Sequence, residues 1–113
     1  MSKRISEKLR QLTAERAGFN CEYCRLPDLG AGISFHADHI LASKHGGLTK
    51  LENLAYCCPE CNLFKGTDFA TFLPGSEDVT RFFNPRQDQW DEHFANTDGL
   101  IQSKSKIGEA IQY

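Results

Sequence analysis

Two Cys-x-x-Cys pairs, Cys21/Cys24 and Cys58/Cys61, constrain this chain more than any other feature. Four thiolates at such spacings make a tetrahedral zinc site. The pairs are separated by residues 25–57, more than a compact zinc finger carries, so the ion would clamp the two ends of an insert. A redox dithiol needs one reactive pair with a depressed pKa at a helix start, and two matched pairs argue against it. The fifth cysteine, Cys57, adjoins Cys58. Cys58 keeps the two-residue gap to Cys61, which leaves Cys57 as a packed free thiol. With no apolar h-region in residues 1–10, this cysteine usage points to the cytoplasm and to metal rather than disulfides.

The 113 residues fit a single domain, 1–113, with a core too small to dispense easily with a metal staple. No apolar run approaches bilayer length, so no membrane contact is expected. The net charge of −2 is unevenly spread. Residues 1–25 carry six Lys/Arg against three Asp/Glu, whereas 67–113 carry four against eight. The N-terminal segment, with Arg4 and Lys8, is therefore the candidate phosphate-facing surface, although a solvated helix explains most of its charge.

Residues 4–17 read as an amphipathic helix with Ile5, Leu9 and Leu12 as its apolar stripe and Gly18 ending it. Leu26 to Gly32 is turn-rich, and Ile33 to Ile40 reads as a strand. A loop over 41–50 pivots on Gly46-Gly47, and 51–56 forms a second extended segment. A helix should begin near Cys58 and run to about Phe72. Pro74-Gly75-Ser76 interrupts the chain and opens an extension, 74–113. In it Trp90 and Phe94 share a helical face, and Asp98-Gly99 marks a turn, as in a hairpin. The tail aromatics are read as core rather than as a platform for bases.

Between the cysteine pairs lies Asp38-His39-Ile40, followed by Gly46-Gly47, Asn53-Leu54, Cys61-Asn62 and Lys65-Gly66. A hard acid, a histidine and amides suit metal-assisted hydrolysis, whereas the thiolates suit zinc. In a regular strand Asp38 and His39 point to opposite faces, so the strand must bend, bulge or end there for both to serve one site. Alternation places His36 beside Asp38, as a candidate additional ligand. His45 and His93 read as a loop residue and a structural or exposed one.

The series DHI, GG, NL, CxxCN and KG over residues 21–66 resembles the HNH endonuclease family. Phe83-Asn84-Pro85-Arg86 and Trp90-x-x-His93-Phe94 are similar to bacterial members that extend past the core. The resemblance implies an α+β fold: a ββα-metal (His-Me finger) core clamped by the four-cysteine zinc, flanked by an N-terminal helix and a C-terminal extension. It implies a metal-dependent DNA endonuclease. His39 would be the general base, because imidazole is basic near neutrality. Asp38 and Asn62 would hold a catalytic Mg²⁺, Mn²⁺ or other divalent ion. Asn62 stands where many members have histidine. Asn53 would pin the loop that orients His39, and Lys65 would neutralise a DNA phosphate. The competing reading is a non-catalytic zinc-ribbon module binding nucleic acid or protein.

Overall fold

The computed structural model describes residues 4–29 and 35–112. Positions 30–34, which include Gly30, Gly32 and the first residues expected in the strand, lie outside the described residues, as do 1–3 and 113.

Helix α1 (Glu7–Arg16) starts where Ser6 can cap it: its Oγ accepts the Leu9 N–H at 3.2 Å. The helix ends at Ala17, and Gly18 follows with φ 64°, as the sequence suggested. Its inward face differs from the expected stripe. Thr13 and Ala14 are buried, whereas Leu12 is 39% exposed. Small residues let the helix approach the sheet closely, and Thr13 satisfies its hydroxyl on the Leu9 carbonyl at 2.7 Å. Arg16 then reaches across to the carbonyls of Leu51 and Leu54.

Strands β1 (His36–His39) and β2 (Leu54–Cys57) form an antiparallel pair in regular register from His36↔Cys57 to His39↔Leu54. Every residue of β2 is buried, which explains why 54–57 reads as an apolar run rather than an alternation. A short 3₁₀ turn over Leu51–Asn53 leads into it, so the second strand starts later than expected. The first cysteine turn docks on β2 through Glu22, whose N–H bonds to the Tyr56 carbonyl and whose carboxylate accepts the Tyr56 N–H.

Helix α2 (Pro59–Lys65) begins at the second pair, with Cys58 as N-cap and Pro59 in its first turn. It does not run to Phe72. Gly66 takes φ 53°, a region costly to other residues, and the chain turns into β3 (Ala70–Phe72). Strand β3 pairs with β4 (Val79–Arg81) across the Pro74-Gly75-Ser76 turn.

The extension continues with α3 (Trp90–His93), β5 (Phe94–Thr97), β6 (Leu100–Ser103) and α4 (Lys106–Ile111). Asp98-Gly99 makes the β5–β6 hairpin turn with both residues at positive φ, as expected. Trp90, Phe94 and Phe83 are buried, in line with the core reading. The Trp90 indole donates to the Tyr23 carbonyl at 2.8 Å, and the Arg25 guanidinium lies 4.1 Å from its ring centroid. One cluster of buried residues joins α1, the cysteine turns, the first sheet, Phe82–Phe83 and α4. The extension thus packs on the segment that carries the cysteines.

Candidate metal centre and catalytic loop

The fold brings Cys21, Cys24, Cys58 and Cys61 together, with their four sulfurs within 4.8 Å of one another. A tetrahedral zinc with Zn–S of about 2.3 Å requires sulfurs about 3.8 Å apart. Cys24 and Cys58 stand at 3.7 Å. Each turn is pre-shaped by its own backbone, the Cys24 N–H pointing to Cys21 Sγ and the Cys61 N–H to Cys58 Sγ, both at 3.5 Å. Hydrogen bonds from Cys24 and Cys61 hold the Cys21 thiol down to about 2; the bond to Cys21 pushes the Cys24 thiol up to about 12, and bonds to Cys21 and Cys24 push the Cys61 thiol up as well. Four thiolates repel one another in so small a space, and a soft divalent cation is the partner that lets all four form. The donor set fits zinc.

Cys57 lies outside this cluster, fully buried on β2, and burial pushes its thiol up. Cys57→Ala is therefore expected to keep one zinc per chain and to cost only the packing of a small buried group, about 1–2 kcal/mol. Metal analysis and a thermal melt check this, and loss of zinc would reassign the ligand.

The strand β1 stays regular through His39 and ends there, with Ile40 and Leu41 in a bend. Of the three options the sequence left open, the chain takes the last. His39 Nε2 lies 2.8 Å from the Thr49 hydroxyl. Asp38 turns the other way, and its carboxylate acts electrostatically on Tyr23, Cys57 and Lys65. Its Oδ2 is buried without a hydrogen-bond partner among the described residues. A buried carboxylate oxygen left so calls for a cation, which the chemistry of a hard divalent ion would satisfy. Asn62 is half-buried on α2, which packs against β1.

Asn53 ties the loop. Its Oδ1 accepts the Leu41 N–H at 3.0 Å, and its Nδ2 donates to the carbonyls of Leu41 and Leu48 at 3.0 and 2.8 Å. Its own carbonyl accepts the Ile40 N–H at 2.8 Å. Gly47 permits the close approach: a Cβ there would stand 1.7 Å from the Leu41 carbonyl oxygen. Asn53→Ala removes three side-chain bonds and leaves the half-buried Leu41 N–H and carbonyl without their side-chain partner. It is expected to cost about 2–3 kcal/mol, read as a lower melting temperature, with zinc retained.

One expected role does not match the geometry. Lys65 is 2% exposed and its ammonium donates to the His39 carbonyl at 3.2 Å. Burial lowers its pKa, partly offset by Asp38. It is an internal tie between α2 and the end of β1 rather than a surface phosphate contact, because α2 turns this side chain inward. His36 is exposed, and among the described residues the only cluster of three or more His, Cys, Asp or Glu ligand atoms is the four cysteines. Arg4 and Lys8 are exposed at the start of α1. Sequence reasoning missed Thr49, which no motif marks, and the cations Lys50, Arg81 and Arg86 beside the loop, of which only Arg86 belongs to a recognisable string.

Comparison with curated proteins and with solved structures gives no significant match. No helix among the described residues is long and apolar enough to cross a membrane. A family model described as HNH endonuclease matches residues 21–68, which span both cysteine pairs, His39 and the Asn53-pinned loop. With four cysteines placed to hold a metal ion and a mixed helix-and-strand fold around them, this segment is similar to an HNH endonuclease domain.

Proposed function

We propose that the chain is a metal-dependent DNA endonuclease that hydrolyses phosphodiester bonds, with His39 as general base. The observation that supports this most is the His39 ring held at the end of β1 by Thr49, inside the family-matched segment. If Nε2–H donates to Thr49 Oγ1, the lone pair on Nδ1 takes the proton of an attacking water. Asn53 keeps the loop that carries Thr49 in place, and Lys65 holds the His39 backbone through its carbonyl. Asp38 and Asn62 would hold a divalent ion, which when bound supplies Lewis-acid stabilisation of the phosphate. The four cysteines hold zinc and serve the fold.

One observation favours the rival reading of a non-catalytic zinc module: the Asp38 carboxylate acts electrostatically on Lys65, Cys57 and Tyr23 inside the protein, as a structural acid would. Nicking of supercoiled plasmid with magnesium or manganese, absent in chelator, decides between them. No metal-dependent nicking would leave the binding module.

Thr49 supplies a sharper check. Thr49→Val is expected to lower the rate about tenfold, the worth of one good hydrogen bond. Thr49→Ser should restore the rate. A purely structural threonine would change the melting temperature and leave the rate of the folded protein alone.

A further inference from the structure

The family-matched segment ends at residue 68, yet its catalytic loop forms only one side of a cleft of about 510 Å³. That volume lies in the range of about 300–1,000 Å³ seen for ligand pockets. Ile40 and Leu41, the residues following His39, line it together with Gly47, Leu48 and Lys50. The facing residues, Arg81, Asn84, Arg86 and Gln87, come from the extension.

The lining has a definite chemistry. Lys50, Arg81 and Arg86 are cations, the lining Lys65 is spent on the His39 carbonyl, and Glu52 is the sole acid, in a chain of net charge −2. The two arginines are held by carboxylates that do not line the cleft. Asp88 takes the Arg81 guanidinium in a two-point pair at 2.7 and 2.9 Å, and Glu22 pairs with Arg86. Each carboxylate offsets charge, but it also fixes the guanidinium in place at the cleft wall, so a ligand meets it at low entropic cost. Arg86 Nε is buried and has no hydrogen-bond partner among the described residues. Beside these donors Phe69 is 50% exposed, with its ring edge-to-face with His45 at 5.1 Å, and Leu48 is 58% exposed.

An anion-binding set beside an exposed aromatic face calls for a ligand with a phosphate and a flat apolar body. We infer that the cleft takes one unpaired nucleotide of a DNA strand next to the bond that is cut, its phosphate on Lys50 and Arg81 and its base against Phe69. The inference rests on the nuclease reading for what happens beside the cleft, but not for strand binding itself. A base inside a duplex has both faces covered by its neighbours, so only an unstacked base can use Phe69. The extension then makes the protein prefer single-stranded, frayed or supercoil-opened DNA over relaxed duplex.

The test uses the full chain carrying His39→Ala, so that DNA is bound without being cut. Fluorescence anisotropy follows an end-labelled, non-self-complementary oligonucleotide and the matching duplex at one salt concentration. The single strand should bind more tightly. Phe69→Ala in that background should weaken single-strand binding about tenfold and leave duplex binding unchanged, while Phe69→Trp restores it. Lys50→Ala should reduce the salt slope of single-strand binding by about 0.7. Circular dichroism verifies that each variant is folded, which is expected because both side chains are exposed. Equal affinity for strand and duplex, or a Phe69→Ala variant that binds the strand as tightly as its parent, overturns the inference. Plasmid nicking by the unmodified protein is read separately. Nicking without Phe69-dependent strand binding keeps the nuclease reading and discards the cleft. Phe69-dependent strand binding without nicking does the reverse.

Discussion

His39→Ala is expected to lower metal-dependent plasmid cleavage by about 10²–10⁴-fold, the usual worth of a general base, while zinc content and melting temperature stay close to the parent. The side chain makes one hydrogen bond, to Thr49, and is only half-buried. What the fold takes from this residue is its carbonyl, which accepts from Lys65, and alanine keeps that carbonyl. Chemistry and stability therefore separate at this position. They do not separate at Asp38. Its carboxylate offsets part of the burial cost of Lys65, so Asp38→Ala should lose activity and stability together, and added manganese should recover at most the activity. Plasmid nicking against metal concentration, run beside thermal melts for both variants, reads these outcomes. A His39→Ala protein that cleaves like the parent would sink the proposed mechanism.

Removal of zinc is expected to unfold the chain. Structural zinc contributes about 10–16 kcal/mol of apparent binding energy in zinc-finger peptides, comparable with or above the roughly 5–15 kcal/mol total stability of a domain. Here the ion would join the turn that docks on β2 through Glu22 to the start of α2. Without it, four sulfurs share one partly buried site, and ionisation of Cys24 and Cys61 is opposed. Cys58→Ser should abolish both zinc binding and the cooperative thermal transition, in contrast to Cys57→Ala. A chelator should do the same to the parent chain. Metal analysis and far-ultraviolet circular dichroism measure this, and a folded, cooperatively melting chain free of metal would falsify it.

The elements legible in the sequence are those whose cause is local. Cys58 caps α2 and Cys61 follows one turn later, so the pair is presented by four consecutive residues. Asp98-Gly99 turns the β5–β6 hairpin because both positions need positive φ. Where the reading failed, the deciding partner was distant. Ile5, Leu9 and Leu12 form a fair stripe on paper, but α1 meets β2 through Thr13 and Ala14, since close approach rewards small side chains. The helix expected to reach Phe72 stops at Gly66, and the next residues are drawn into a pairing with Val79–Arg81.

Residue types and spacing by themselves determined which sulfurs meet and that Asp38-His39 sits between them, while the part of Asn53 in tying the loop was implied by the resemblance to the HNH family. Such features depend on backbone geometry over a few residues and on donor chemistry, both written in the local string. Only the tertiary structure decided where each side chain looks. It turned Lys65 inward to the His39 carbonyl, left His36 exposed, set Thr49 against the His39 ring and brought Arg81 and Arg86 opposite the Gly46-Gly47 loop. Those directions follow from how α2 and the extension pack on the first sheet, and packing is a property of surfaces that meet across dozens of residues, which no local pattern encodes.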